Sequence, residues 1–239
     1  MILQSLLQLL HTVRHKHNMK NNILLIGSDS KIAQQFISRY DQHYNIYKTS
    51  RRVSKEDAKY LTLDLSDKGS VDSLIQNLSS LNFHGVISFA STYNHQTLPN
   101  IDTIKMDLQV NFLSIYKIVR SIKLANISKI ILISDSALYQ PKQEFFGYTV
   151  SKKLLNLYAR QLAVDLSPNT SVNLISLGPI LTNKTGEDKK RYFEKSIIKV
   201  AQPQIGLVNL INFIFSEDNL FMTGSEIIYD GGRRLKRVT

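Results

Sequence analysis

Residues Ile131–Lys152 read ILISDSALYQPKQEFFGYTVSK, an apolar run that gives way to a polar loop and then to a tyrosine and a lysine four residues apart. Lys129–Ser134 (KIILIS) is short, continuous and β-branched, as a strand buried on both faces should be. Downstream, Leu154, Leu155, Tyr158, Leu162 and Leu166 recur at helical spacing and predict a helix over 149–166. Residues at i and i+4 share a helix face, so this spacing brings the Lys152 ammonium near the Tyr148 phenol. A neighbouring positive charge favours phenolate and lowers the phenol pKa, which makes a tyrosine a usable proton donor or acceptor near neutral pH. Tyr148 also falls just past the carboxyl end of a strand, where open α/β sheets bind ligands.

The same alternation extends in both directions. Asn22–Ile26 (NILLI) reads as the first buried strand, and Ile32, Ala33, Phe36, Ile37 and Tyr40 mark the helix after it. Strands are predicted at 45–49, 60–65, 85–89, 129–134, 171–176 and 226–229, with helices at 71–81, 104–123, 149–166 and 205–215. Strands alternating with helices imply right-handed crossovers and a parallel, doubly wound sheet, the Rossmann class of α/β fold.

At 239 residues and 43% hydrophobic, the chain suits one full-sized core, with an N-terminal extension over 1–20 and a single Rossmann-fold domain over 21–239. The absence of cysteine removes disulfide and thiolate chemistry and fits a reducing cytoplasm. No apolar run reaches the roughly eighteen residues of a membrane span. A net charge of +11 raises the question of nucleic acid, but the basic residues are scattered, and attraction of an anionic cofactor or substrate is the better use of the field. The first twenty residues are acid-free, Leu-rich and then basic, leaving open a targeting peptide, an amphipathic surface helix, or an extension ahead of a start at Met19. His11, His15 and His17 have no carboxylate or further histidine nearby, so no metal site is expected.

A dinucleotide site needs a close-approach turn between the first strand and helix, where backbone N–H groups face the pyrophosphate. Here it is Gly27-Ser28-Asp29-Ser30-Lys31-Ile32-Ala33, which keeps only the first glycine but offers small residues at Ser28, Ser30 and Ala33. Lys31 either meets a phosphate or anionic substrate or merely caps a surface loop. After the second strand, Thr49-Ser50-Arg51-Arg52 stands where an acid would read a ribose 2′-hydroxyl. Guanidinium beside hydroxyl suits a 2′-phosphate, so the expected cofactor is NADPH.

Taken in order, Gly27…Lys31-Ile32-Ala33, Asp64-Leu65-Ser66, Ala90-Ser91, Asn111, Tyr148-x-x-Ser151-Lys152, Gly178-Pro179-Ile180-x-Thr182 and Thr223-Gly224…Asp230-Gly231-Gly232 resemble the short-chain dehydrogenase/reductase family over residues 22–239. The resemblance implies a single Rossmann domain with a sheet of about seven parallel strands and helices on both faces. That family usually carries a serine thirteen positions before the tyrosine; here the residue is Asp135. An aspartate there is similar to the pteridine reductases and the bacterial dihydromonapterin reductases, as are Asp230-Gly-Gly-Arg-Arg-Leu and Ile180-Leu-Thr-Asn183. The resemblance departs at Ala33, where a glycine is usual, and at Phe89, where an asparagine is common before Ala90.

What the resemblance implies is NADPH-dependent reduction of a dihydropterin or dihydrofolate to its tetrahydro form. Tyr148 would donate the proton, Asp135 would position it, Lys152 would lower its pKa and hold the nicotinamide ribose, and Asn111 would hold a relay water, unless that asparagine simply satisfies backbone. Gly27, Ser30, Lys31, Ile32, Ser50, Arg51, Asp64, Leu65, Ala90, Ser91, Gly178 and Ile180 would bind the cofactor together with Tyr148 and Lys152. Substrate contacts would come from Lys31, Ser91, Asp135, Tyr148 and Tyr93, the last stacking on the ring or standing as a rim aromatic. The family also implies a dimer or tetramer packed through the two long helices. Two alternatives are a ketone reductase that orients its substrate with Ser134 or Ser136, and a non-catalytic NADP-binding sensor.

Overall fold

A computed structural model of the chain describes residues 20–52, 57–95, 98, 100–139, 143–181 and 185–235. The three N-terminal histidines, Met19, Thr182 and Asn183 lie outside the described residues. The strands are β1 (Asn22–Ile26), β2 (Asn45–Ser50), β3 (Tyr60–Thr62), β4 (Asn82–Ser88), β5 (Lys123–Asp135), β6 (Thr170–Leu177) and β7 (Glu226–Tyr229). They form one seven-stranded sheet in the order β3-β2-β1-β4-β5-β6-β7. Every pairing is parallel, so the Rossmann reading holds. The chain runs outward from β1 to β3 and then crosses back to β4 on the other side of β1, which opens a crevice above the carboxyl ends of β1 and β4.

Side chains alternate across the buried strands, so each strand feeds two apolar layers. Leu24, Ile26, Val86, Ile130 and Leu132 pack on one face with Leu74 of α2 (Lys68–Asn77), Ile118 of α4 (Ser114–Ser121) and Leu155 of α5 (Phe146–Asp165). Ile23, Leu25, Ile87 and Ile131 pack on the other with Phe36 of α1 (Lys31–Tyr40) and Ile211 of α7 (Pro203–Phe215). Each such side chain, taken fully from water, contributes about 1.5–3 kcal/mol. Among the described residues no helix is long and apolar enough to cross a membrane.

Several elements depart from the expected ones. The continuous helix expected over 104–123 is α3 (Ile101–Leu108), a π-helical turn (Gln109–Leu113) and α4, and Lys123 already belongs to β5. The wide turn inserts an extra residue and rotates Asn111 into the interior, where its amide grips a loop and a neighbouring helix. β3 stops at Thr62, because Asp64 folds over and accepts hydrogen bonds from the backbone N–H and hydroxyl of Ser66 (2.9 and 2.6 Å). A helix at Gly186–Glu194, α6, has no buried residue and hence no apolar period by which to find it.

Candidate active site

The strand β5 delivers Asp135 at its last position, and α5 starts one residue before Gly147, so Tyr148 and Lys152 lie on its first turns. The Tyr148 hydroxyl donates to Oδ2 of Asp135 at 2.9 Å, while Oδ1 accepts from the backbone N–H of Ala137 at 2.7 Å. Tyr148 is buried, and burial together with the adjacent carboxylate holds its phenol well above its ordinary pKa, with the Ser91 hydroxyl pulling the other way. The expected lowering by Lys152 does not occur. The Lys152 ammonium is turned onto the carbonyl of Ile133 at 3.0 Å, and burial brings its own pKa down to about 8 against the pull of Asp135. Burial and Asp135 therefore govern the phenol together, and both favour its protonated form.

Asn111 is fully buried. Its Oδ1 accepts from Thr92 N (2.8 Å) and Ser91 Oγ (3.2 Å), and its Nδ2 donates to Thr92 O (3.1 Å) and Ser151 Oγ (3.0 Å). That side chain is saturated by protein and fixes the Ser91–Thr92 loop to α5; it has no capacity left for a relay water.

Beside this cluster is a cleft of about 520 Å³ above β1–β4. Gly27, Ser30, Ser50, Arg51, Asp64, Leu65, Ala90 and Ser91, all expected at a cofactor site, line it. Gly27 has φ +83° and lies so near Ala90 that an added Cβ would stand 2.7 Å from its backbone nitrogen. Only glycine permits that approach. Ser30 caps α1 by accepting from Ala33 N at 3.2 Å. A narrow backbone turn at a helix N-terminus, hydroxyls and a guanidinium fit a dinucleotide. Six other expected residues do not line this cleft, among them Tyr148 and Lys152 of the adjoining cluster. Lys31 is exposed at the first position of α1 and Ile32 packs into the core. Gly178 lies against Asp230, and Ile180 faces a separate cavity of about 540 Å³ under α6.

Tyr93 is 59% exposed, stacks on Phe145 (centroids 4.3 Å, 21°) and meets Tyr148 edge-on (4.9 Å, 84°). The serines weighed for ketone chemistry are otherwise engaged or enclosed: Ser134 donates to Asn156 Oδ1 at 2.6 Å, and Ser136 Oγ is buried with no partner among the described residues.

Three residues escaped the sequence reading as site residues. Asp29 lines the cleft and accepts from the Ser50 hydroxyl at 2.6 Å, which puts a carboxylate beside Arg51. Arg233 stands 3.8 Å from Asp135 Oδ1, and Tyr192 of α6 shares the field of both. Nothing in local periodicity announces them, although the Asp230-Gly-Gly run, with φ of +60° and +80° at the glycines, is the signature of a chain turning back on itself.

A family model described as Enoyl-(Acyl carrier protein) reductase matches residues 37–234. A dihydromonapterin reductase of Klebsiella pneumoniae subsp. pneumoniae is 29% identical over 111 residues, 46% of this chain and 45% of the relative, so the match spans about half the length of each. A 3-alpha-(or 20-beta)-hydroxysteroid dehydrogenase of Mycobacterium tuberculosis is 27% identical over 186 residues, 73% of this chain and 70% of the relative. A short chain dehydrogenase family protein from Francisella tularensis superposes with a TM-score of 0.81 at 20% identity, covering 91% of this chain and 100% of that one. FolM Alternative dihydrofolate reductase 1 from Brucella canis, complexed with NADP, gives 0.78 at 20% identity, covering 92% and 96%. These two superpositions show the fold.

Proposed function

The chain belongs to the short-chain dehydrogenase/reductase family, and from that premise we propose that it reduces a dihydropterin or dihydrofolate to the tetrahydro form with NADPH. The observation that carries the reading is the 2.9 Å hydrogen bond from Tyr148 to Asp135, an acid where a ketone reductase of this family has a serine. Gly27, Ser30, Ser50, Arg51, Asp64 and Ser91 would hold the dinucleotide, which when bound supplies a hydride. Arg51 and the NADP carried by the Brucella canis structure favour the 2′-phosphorylated form.

Reduction of a C=N bond needs a proton at nitrogen as hydride arrives at carbon. Tyr148, held protonated, has that proton at its Oη, and the Asp135 carboxylate that accepts its hydrogen bond aligns it. Lys152, with a pKa of about 8, is mostly ammonium at neutral pH and supports the negative charge on Asp135. Tyr93 and Phe145 offer flat faces at the rim. In this reading the enzyme works in the cytoplasm as a homo-oligomer, with Leu157 and Val164 on α5 and Tyr116 on α4, all exposed, as contacts between copies.

NADPH oxidation followed spectrophotometrically with dihydrobiopterin, dihydromonapterin and dihydrofolate, beside a panel of ketones, tests the reading. Pterin turnover is expected. Turnover of ketones alone would replace it with carbonyl reduction, and tight NADPH binding with no turnover at all would point to a sensor.

A further inference from the structure

We infer that Arg233 recognises substrate, and that Asp135 and Arg233 form an acceptor–donor pair reading an amide edge, an N–H beside a C=O, on the ring being reduced. The inference rests on the pterin reading above and names the part of the ring that the site selects.

The C-terminal turn is built to deliver this guanidinium. Asp230, buried, accepts from Gly232 N through Oδ1 (2.8 Å) and from Arg234 N through Oδ2 (2.9 Å), and its carbonyl accepts from Arg233 N (3.2 Å). Gly231 and Gly232 take left-handed conformations that turn the chain back over the sheet. Two further ties fasten it. Ile197 N and Ile198 N both donate to Gly231 O, linking it to the segment after α6, and the Arg234 guanidinium lies 5.7 Å from the centre of the Tyr139 ring in the loop that follows Asp135. Arg233 is thus anchored by its own backbone, not a solvent side chain that happens to lie near the site.

Its reach stops short of closing the pair. A guanidinium placed only to neutralise Asp135 would lie against it in a two-bond fork at hydrogen-bond distance. Here a single nitrogen stands 3.8 Å from Oδ1, both side chains keep about a fifth of their surface open (22% and 23%), and the Arg233 guanidinium has no other hydrogen bond or ion pair among the described residues. Five N–H donors beside a carboxylate with spare lone pairs present an acceptor and a donor together. Tyr93 and Tyr192 lie within the field of both groups, so aromatic rings border the pair. A ketone offers one acceptor and no donor and engages only half of it. A pyrimidinone ring offers both, and a site built for paired hydrogen bonds rejects ligands that leave one unmet.

The test is Arg233→Met in the full chain, assayed with dihydrobiopterin, with NADPH affinity from fluorescence titration as the check on folding. KM is expected to rise about tenfold with kcat changed less than about threefold, since the lost contact is made equally in ground and transition states. Arg233→Lys keeps stem and charge but loses the fork, and is expected to fall between the two; it also serves if the Met variant does not fold. An unchanged KM in either variant, or a fall in kcat with KM unchanged, overturns the inference. Binding of unreduced pterin, read by quenching of its fluorescence, separates this inference from the reaction. Arg233-dependent binding without turnover would sink the reaction and keep the pair, whereas turnover with Arg233-independent binding would sink the pair and keep the reaction.

Discussion

Two buried lysines draw on the carbonyl groups of the structure at opposite ends of the sheet, and they are served differently. Lys129, midway along β5 and level with the start of β6, donates to the carbonyls of Ser216 and Asn219 just past the end of α7 (2.7 Å to the latter), where the helix dipole favours a cation. Glu217 and Asp218 add negative charge, although burial still lowers its pKa. Lys152, at the upper end, makes one bond, to Ile133 O, and has no other hydrogen bond among the described residues. Only Asp135 opposes the effect of burial there. The lower lysine is satisfied and structural. The upper one is held in a costly state with donors to spare, as strained functional groups are.

Substitution breaks this comparison most sharply in turnover. Lys152→Met and Tyr148→Phe are each expected to lower kcat for pterin reduction by about 10²-fold or more, the scale of positioned proton transfer. Lys129→Met is expected to stay within about twofold of wild type, because nothing links its ammonium to the upper rim. Steady-state NADPH oxidation by the three variants measures both arms. Equal losses at the two lysines would erase the distinction.

Stability should move the other way. Lys129→Met strips the donor from two enclosed carbonyls and is expected to cost about 2 kcal/mol. A shift of Lys152 from 10.5 to about 8 corresponds to about 3 kcal/mol of disfavoured charge, so Lys152→Met should stabilise the chain at neutral pH by some part of that. The sign follows from linkage. Between pH 8 and 10.5 the unfolded chain holds a proton on this lysine that the folded chain has released, so stability rises with pH. Above pH 10 the raised pKa values of Tyr148 and Tyr158 reverse the trend, since the unfolded phenols ionise first. Urea denaturation at pH 7, 8, 9 and 10 should give a rising midpoint in wild type and a flatter one in Lys152→Met, with Lys129 supplying the residual slope.

The same contrast explains what could be read from the sequence. NILLI at β1, KIILIS in β5 and the helical leucines of α5 are long apolar patterns, and the layers they predict are the layers that form. Asp135 and Tyr148 were legible as a pair because their spacing in the chain is short and fixed by one loop. Other features depend on tertiary structure. Polar α6 carries no buried face, and the π turn that inverts Asn111 is a response to the loop it holds. Arg233 meets Asp135 only because two glycines and a buried aspartate fold the chain back, and Lys152 finds its acceptor in a strand carbonyl, that of Ile133, in a dry interior.

Asp29 stands between the two lysines in kind and offers the mildest test. Its carboxylate is met by the Ser50 hydroxyl at 2.6 Å, yet it remains exposed at the cleft, and the Ser50 oxygen also accepts from Arg52 N at 2.9 Å. A 2′-phosphate drawn to Arg51 would stand near this negative charge, whereas a plain 2′-hydroxyl would find an acceptor. In a solvated cleft such a repulsion is on the order of 1 kcal/mol, about fivefold in affinity. Asp29→Ser should therefore raise the ratio of NADPH to NADH affinity by about that factor, and Arg51→Ala should lower it, both read by fluorescence titration of each cofactor without substrate. A ratio unmoved by Asp29→Ser would mean that the carboxylate serves Ser50 alone, and would class it with Lys129 as a group whose partners are all within the fold.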